Sequence, residues 1–512
     1  MKNKFKNLDI SLVYVLGIVV LVNIISVFYF FRLDLTEGGI YSLSDASKKI
    51  VAGLDDKVIV KCFFSSELPP EMKSIPRQIK DNLDEYKTYS NGNLEYEFID
   101  QTSEEFSKQI MDYQLPSAQV QMLEKDEFKV KRIFMGMVIL YEDKKEIIPF
   151  IQQGDIPAIE YEITSRIKKL ATDKLPSIGI LSGFGCAQPE EIRTVLQVLS
   201  SQYVVDQVTA DSTSLRTDRI NTLLIISPKE NFTIEALSAI DKFIMSGGKA
   251  AFFVDKTSIN LHMQNASDLN LNLDSLMMTY GVKVNNDLIG DKQAGIITVR
   301  QQKGFFTIAN PVKYPFLPHI TDLDRSSPVT QKIEAVDLYF ASSLDTAYST
   351  GKNTELKVLA RTSGETFVQS GNYNIMADRD IEDYTFSTGK LPVIALLKGS
   401  FSSYLNPVEK SLETRIAVSG DADFFQENKF GSQENISLFL NLVDWLTADE
   451  ALISIRSKDI TQRPLDKVED GDKTIIKWLN IALIPVLIAA IGIMRWRKNR
   501  NRKDFSLKKA NG

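Results

Sequence analysis

The sequence predicts an α/β protein in which two transmembrane helices bracket a small α/β domain and a larger doubly wound α/β domain. Three observations carry this. Two long uncharged runs lie near the ends of the chain. Residues 56–152 order their apolar segments as strand, helix, strand, helix, strand, strand. Beyond Pro176, buried strands alternate with helices, the pattern of a parallel sheet.

Ile10–Phe31 is 22 residues without a charge. At about 1.5 Å per residue, such a helix covers the roughly 30 Å hydrocarbon core of a bilayer. It ends in Phe28-Tyr29-Phe30-Phe31, too bulky for a signal-peptide cleavage site and suited to an interfacial aromatic belt. The competing reading is a buried core helix. The second run, Trp478–Met494, has 17 uncharged residues and is extended by Ile475 and Ile476. Lys477 can snorkel and Pro485 is tolerable in a membrane helix. Both outer flanks are basic, so the positive-inside rule places both termini in the cytoplasm and the bulk of the chain in the periplasm, anchored in the inner membrane.

The expected organisation is a cytoplasmic N-terminus (1–9), a span (10–31) and a juxtamembrane connector (32–55). A small domain (56–152), a linker helix (153–175) and a larger domain (176–457) follow. A return linker (458–474), a second span (475–494) and a basic cytoplasmic tail (495–512) complete it. The tail carries eight basic residues and one acidic, and residues 1–9 carry three Lys and one Asp, so a net charge of −6 conceals an acidic middle of −15. That argues against nucleic acid as a partner. The basic tail suits anionic membrane lipid. Two cysteines, Cys62 and Cys186, make no disulfide framework, and two histidines, His262 and His319, leave little for a metal site or triad.

In the connector, Ser44 is a good N-cap for a short helix with Ile50, Val51 and Leu54 on one face. In the small domain, Val58–Phe64 reads as a buried strand and Pro69–Tyr89 as a helix with Met72, Ile75, Ile79, Leu83 and Tyr86 at helical spacing. Leu94–Ile99 is a strand and Ser103–Tyr113 a helix. Ala118–Leu123, Phe128–Tyr141 and Glu146–Ile151 supply strands and a hairpin. This order resembles the thioredoxin-like fold, with Pro116 where that fold keeps its cis-proline. Leu68-Pro69-Pro70-Glu71 stands where a C-x-x-C would be, so redox chemistry is not expected. Pro157–Leu170 is an amphipathic helix with proline in its first turn.

In the larger domain, Ser177–Leu181, Tyr203–Val208, Thr222–Ile226 and Ala250–Val254 read as strands. Glu190–Ser200, Ile234–Met245 and Leu271–Tyr280 read as helices. Phe305–Ile308, Ala335–Ala341, Leu356–Ala360, Val393–Lys398 and Ala417–Ser419 are further strands. Tyr314–His319 and Asn372–Lys390 read as loops, Gln433–Leu446 as a helix and Leu452–Ile455 as a last strand.

No G-x-x-x-x-G-K-[ST] phosphate loop is present, and Gly247-Gly248-Lys249 reads as a turn. No ATP hydrolysis, catalytic residue, cofactor or metal is therefore assigned to this chain. Ligands of doubly wound sheets collect at the carboxyl ends of strands. The loops there offer Gly183, Phe184, Gly185, Cys186, Lys229, Asp255, Asp421 and Asp423 as candidate ligand-binding residues. Ordinary turn chemistry explains the same residues. Cys186 could be a nucleophile if a base activated it, and Asp421 with Asp423 could hold a hard cation or simply cap their loop.

Arg32–Thr36, Tyr41–Ser47, Leu54–Val60, Tyr86–Asp100, Ile159–Leu170, Ile178–Gly185, Pro228–Asp255, Val418–Phe425 and Asn435–Ile455 together resemble the GldG-like family, auxiliary components of gliding-motility-associated ABC transporters. One departure is Gly183-Phe184-Gly185-Cys186, where the family has a Gly-His-Gly-Glu-like turn. The resemblance implies a larger domain similar to the class I glutamine-amidotransferase sheet without its catalytic set. It also implies two partners, an ABC permease and a cytoplasmic ATPase, the latter supplying the ATP hydrolysis. The expected function is a non-catalytic, membrane-anchored auxiliary component, of the kind often labelled substrate-binding. The alternatives are a structural envelope scaffold with no small-molecule ligand, or a degenerate amidotransferase-like hydrolase using Cys186.

Overall fold

The computed structural model describes residues 42–447 apart from 100, 125–126, 173, 304–305, 349–353, 378 and 428–431, with isolated positions outside that range. The chain divides into two units, Met1–Ile460 and Thr461–Gly512. In the second, only isolated positions such as Lys473, Lys477 and Ile493 are described, each helical.

The expectation of two membrane helices is overturned: among the described residues no helix is long and apolar enough to cross a membrane. The runs that suggested them, 10–31 and 475–494, lie almost wholly outside the described residues. The inner-membrane placement, the cytoplasmic termini and the membrane-anchored form of the function rested on those runs alone and fall with them. What stands is a mixed α/β fold.

Helix α1 (Asp45–Ala52) starts where the Ser44 side chain accepts the Ser47 N–H. Strand β1 (Val58–Phe64), helix α2 (Ile75–Tyr89), strand β2 (Leu94–Phe98) and helix α3 (Glu104–Tyr113) follow. Strands β3 (Met135–Tyr141) and β4 (Lys144–Ile148) close a four-stranded sheet of order β2-β1-β3-β4. β1 and β2 are parallel, and β3 is antiparallel to β1. The segment 128–141, expected as one strand, is interrupted: 127–133 pairs instead with 118–124 as a separate hairpin. No cis peptide occurs among the described residues, so Pro116 is trans. Helix α4 (Ile159–Ala171) sends Ile159, Ile163, Ile167 and Leu170 into the core shared by β1, β3 and α2.

Strand β5 (Ser177–Leu181), helix α5 (Arg193–Ser200), strands β6 (Val204–Val208) and β7 (Thr222–Ile226), helix α6 (Ile234–Met245), strand β8 (Lys249–Phe253) and helix α7 (Asp274–Tyr280) build the second sheet. It is completed by β9 (Asp322–Leu323), β10 (Thr354–Arg361), β11 (Pro392–Gly399) and β12 (Thr414–Ser419), and helix α8 (Gln433–Thr447) follows. The order is β9-β10-β11-β12-β8-β7-β5-β6. β12, β8, β7, β5 and β6 run parallel to one another, whereas β11, β10 and β9 are added antiparallel on the far side of β12. The sheet is therefore mixed, not wholly parallel as expected. Its central strands are apolar at consecutive positions because both faces are covered. Leu224, Ile226, Ala251 and Phe253 face the side packed by α5 and α8, and Leu223, Ile225, Ala250 and Phe252 face the side packed by α6 and α7.

Two further readings are corrected. Residues 314–319, expected as loop, belong to a long strand, Phe306–Ile320, paired antiparallel with Ala294–Lys303. Pro311, Pro315 and Pro318 are unusual inside a strand, but the third strand of this sheet, Val336–Asp337, pairs only with His319 and Ile320, so Pro311 and Pro315 lie outside that ladder. Ile453 and Ile455, expected in a strand, are helical and fully buried. A four-residue stretch as short as Leu452–Ile455 does not reveal its period.

Candidate functional site

In a doubly wound sheet the crevice opens where successive connections leave in opposite directions. Here that point lies between β5 and β7, whose following loops carry Gly183–Cys186 and Ser227–Lys229. The structure brings these loops together, and it stitches them shut. The Phe184 carbonyl accepts the Lys229 and Glu230 N–H groups, each at 2.9 Å, and Ala187 N–H donates to the Ile226 carbonyl at 2.9 Å. The Phe184 ring stacks on Phe232 with centroids 4.4 Å apart. Gly183, Phe184 and Gly185 have φ of 87°, 53° and 66°, and Ser227 has φ of 49°. Left-handed backbone at two non-glycine residues is uncommon. At Phe184 the paired carbonyl and the stacked ring hold it, and at Ser227 the N–H donates to the Phe253 carbonyl at 3.0 Å.

Asp255 and the Gly420–Asp423 loop lie at the neighbouring strand ends. The Asp255 carboxylate accepts the Ala422 N–H at 2.9 Å and the Ser227 hydroxyl at 3.2 Å. Asp421 is fully buried and accepts N–H groups from Tyr339 at 2.5 Å and Asp423 at 2.6 Å. Burial first, then the neighbouring Asp255 and Asp423, push its carboxyl well above the usual range. No group of three or more His, Cys, Asp or Glu suited to a metal occurs among the described residues. Asp421 is thus engaged as a loop cap, with two backbone donors. Lys229 is exposed, and its role in the closure is its backbone N–H.

The segment Tyr339–Ser342 crosses directly over the end of β12. Besides Tyr339 N–H to Asp421, Ser342 N–H donates to the Gly420 carbonyl at 2.7 Å. Sequence reasoning missed this segment. Its neighbours in space are some 80 residues away in the chain, and no local pattern marks it.

Cys186 is buried, and burial pushes its thiol up to about 12. Its N–H donates to the Gly183 carbonyl at 3.0 Å and its carbonyl accepts the Gln188 side chain at 3.0 Å. His262 lies exposed in the turn after Asn260, and His319 Nδ1 is paired with Asp337 Oδ1 at 2.7 Å. A thiol held protonated is a poor nucleophile. Alkylation of native Cys186 by iodoacetamide is expected to run about a hundredfold slower than in the denatured chain, read by mass spectrometry. Cys62 is buried in β1, and burial raises its thiol further.

The His319–Asp337 pair gives a pH prediction. The hydrogen bond to Asp337 raises the histidine's pKa above its usual value near 6.5. The pair's stabilisation is therefore fully present below about pH 6.5 and is lost as pH rises through the folded value. The side chains are 42% and 27% exposed, so screening keeps the effect below about 1 kcal/mol. In His319→Gln, the stability difference from the natural protein is expected to vanish above that window and appear below it, read by urea titration at several pH values.

The family model described as an ABC-type uncharacterized transport system matches residues 175–447, and one described as a domain of unknown function matches residues 37–140. An uncharacterized protein of Borreliella burgdorferi is 23% identical over 517 residues, covering 98% of this chain and 99% of its own. Among solved structures, the mmIFT52 N-terminal domain is 16% identical with a TM-score of 0.34, over 53% of this chain and 97% of that one. A protein described as a proposed GMP synthase component, from Thermoplasma acidophilum, is 9% identical with a TM-score of 0.24, over 54% and 96%. Superpositions this loose bear on neither fold nor function.

Proposed function

We propose, for a chain that belongs to the ABC-type uncharacterized transport system family, that it is a non-catalytic scaffold component of such a system and holds no small-molecule ligand at its strand ends. The observation that supports this is the direct bonding of the Phe184 carbonyl to the Lys229 and Glu230 N–H groups across the crevice where a ligand would enter. The family match is consistent with a non-catalytic role. We take the partners to be the permease and ATPase subunits of an ABC system, and the nearer kinship to be with the GldG-like components. The residues that carry that resemblance run from Arg32 to Ile455.

The test is co-purification of the full chain with the permease and ATPase of its own system, together with transport by the assembled complex. Lys229→Gln and Asp423→Asn change exposed or half-buried side chains and leave the backbone closure intact. Both variants are expected to assemble and support transport as the natural chain does. Loss of transport with assembly intact, or a small molecule released from the purified chain and displaced by these changes, would replace the scaffold with a substrate-binding component.

A further inference from the structure

The opposite end of the second sheet, where β5 and β6 begin, carries a cleft of about 570 Å³. This lies within the size range of small-molecule sites. Among the described residues, its charged lining consists of Lys144, Lys145, Lys169, Lys174 and Arg219, with Glu146 as the one acid. The chain as a whole is acidic, with a net charge of −6. The cations gathered round this cleft oppose that balance and cost mutual repulsion unless an anion offsets it.

The internal partners do not absorb this charge. Lys169 pairs with Glu146 at 2.7 Å. Lys144 Nζ donates one proton to the Leu170 carbonyl at 3.1 Å, at the C-terminal end of α4, and keeps two. Lys145 lies over the Tyr113 ring, 5.3 Å from its centroid, on the opposite face of β4 from Lys144, so only its backbone and stem border the cleft. The nearby Asp218 is engaged by Arg216 at 2.6 Å and also feels the charge of Lys174. Among the described residues, the Arg219 guanidinium has neither a hydrogen-bond nor an ion-pair partner. Its loop is nonetheless held in place, since Ser177 Oγ donates to the Arg219 carbonyl at 2.7 Å and Ser177 N–H to Asn221 Oδ1 at 2.9 Å. A planar five-donor fork on a pinned loop, flanked by lysine point charges, matches the oxygens of a phosphate group. Leu170, Leu175 and Val204 complete the wall with apolar surface.

We propose that this cleft binds a small soluble anion bearing two or more phosphate groups, with Arg219 as the bidentate contact and Lys174 and Lys144 as charge partners. The site is remote from the strand-end crevice and independent of its closure. It joins β4 and α4 on one side to β5, β6 and the Arg219 loop on the other. An anion there ties these elements together.

The test is isothermal titration of the full chain with inorganic pyrophosphate at low and moderate salt, with Arg219→Gln, Lys174→Gln and, as a control, the remote exposed Lys410→Gln. The expected result is saturable binding that weakens with salt. Each cleft variant should raise the dissociation constant about tenfold, the control should leave it unchanged, and all three should melt as the natural protein does. Absence of binding at millimolar pyrophosphate overturns the proposal, as does equal loss in the control. So does binding only to vesicles containing anionic phospholipid or only to duplex DNA, because either places the recognition on a surface and not on a small anion.

Discussion

Gly420→Ala is expected to destabilise the protein by about 3 kcal/mol or more. A Cβ at position 420 would lie 2.0 Å from the Ser342 carbonyl oxygen and 3.0 Å from its carbon. Neither backbone can yield cheaply. Gly420 N–H is bonded to Val393 at 2.9 Å and its carbonyl to Ser342 N–H at 2.7 Å. On the other side, the Ser342 hydroxyl donates to the Asp287 carbonyl at 2.7 Å, and the Ala341 carbonyl accepts the Ile289 N–H at 2.9 Å. The clash would force Tyr339–Ser342 off the end of β12 and strip Asp421 of the Tyr339 N–H. That would leave a buried carboxyl short of a donor. Urea unfolding with intrinsic fluorescence measures the loss. A stability within about 0.5 kcal/mol of the natural protein would mean that the covering segment is not packed on Gly420.

Glu160→Ala is expected to cost a comparable amount, about 3 kcal/mol, and to act first on the segment 43–52. Glu160 is buried on α4, and its Oε1 accepts the Ser44 N–H at 2.7 Å and the Ser47 hydroxyl at 2.6 Å. Ser47 also meets Thr164 at 2.9 Å. Tyr86 donates to the Glu160 carbonyl at 3.0 Å, and Glu85 accepts the Leu43 N–H at 2.7 Å. Truncation would leave the half-buried Ser44 N–H and the buried Ser47 hydroxyl without the carboxylate, the hydroxyl keeping its Thr164 contact. Hydrogen exchange should show the amides of α1 losing protection before those of β1 and β3. Glu160→Gln keeps an acceptor oxygen, so about half the loss or less is expected. If the two variants proved equal, the carboxylate's charge and not its acceptor geometry would be what secures α1.

The buried strands were readable because their residues repeat one physical requirement. Thr222–Ile226 and Lys249–Phe253 are covered on both faces, so nearly every position is apolar and the run stands out from its flanks. The helices α2 and α6 were readable from the 3.6-residue spacing of Ile75, Ile79 and Leu83, and of Leu237, Ile240 and Ile244. The strand Phe306–Ile320 was not, because its three prolines are compatible with a ribbon only when its partner's register is known. The apolar runs at the ends misled for a related reason: length and hydropathy state a capacity to span, not the presence of a span.

At the candidate site, composition placed Gly183–Cys186, Lys229, Asp255, Asp421 and Asp423 at strand ends, since glycine, aspartate and proline mark where a strand must turn. Whether those turns frame an opening depends on distances across the sheet. The bonds from Lys229 and Glu230 to Phe184, and from Tyr339 to Asp421, join residues some 45 and 82 positions apart. Such pairings leave no periodic trace. The cleft at the other end is the same case. Its lysines and Arg219 look like solvated surface charge one at a time, and only the packing of β4 and α4 beside β5 and β6 gathers them. Local composition thus set which residues turn, which are buried and where charge lies along the chain. The closing of one end of the sheet and the collecting of charge at the other came from tertiary packing, because both depend on through-space distances between segments remote in sequence.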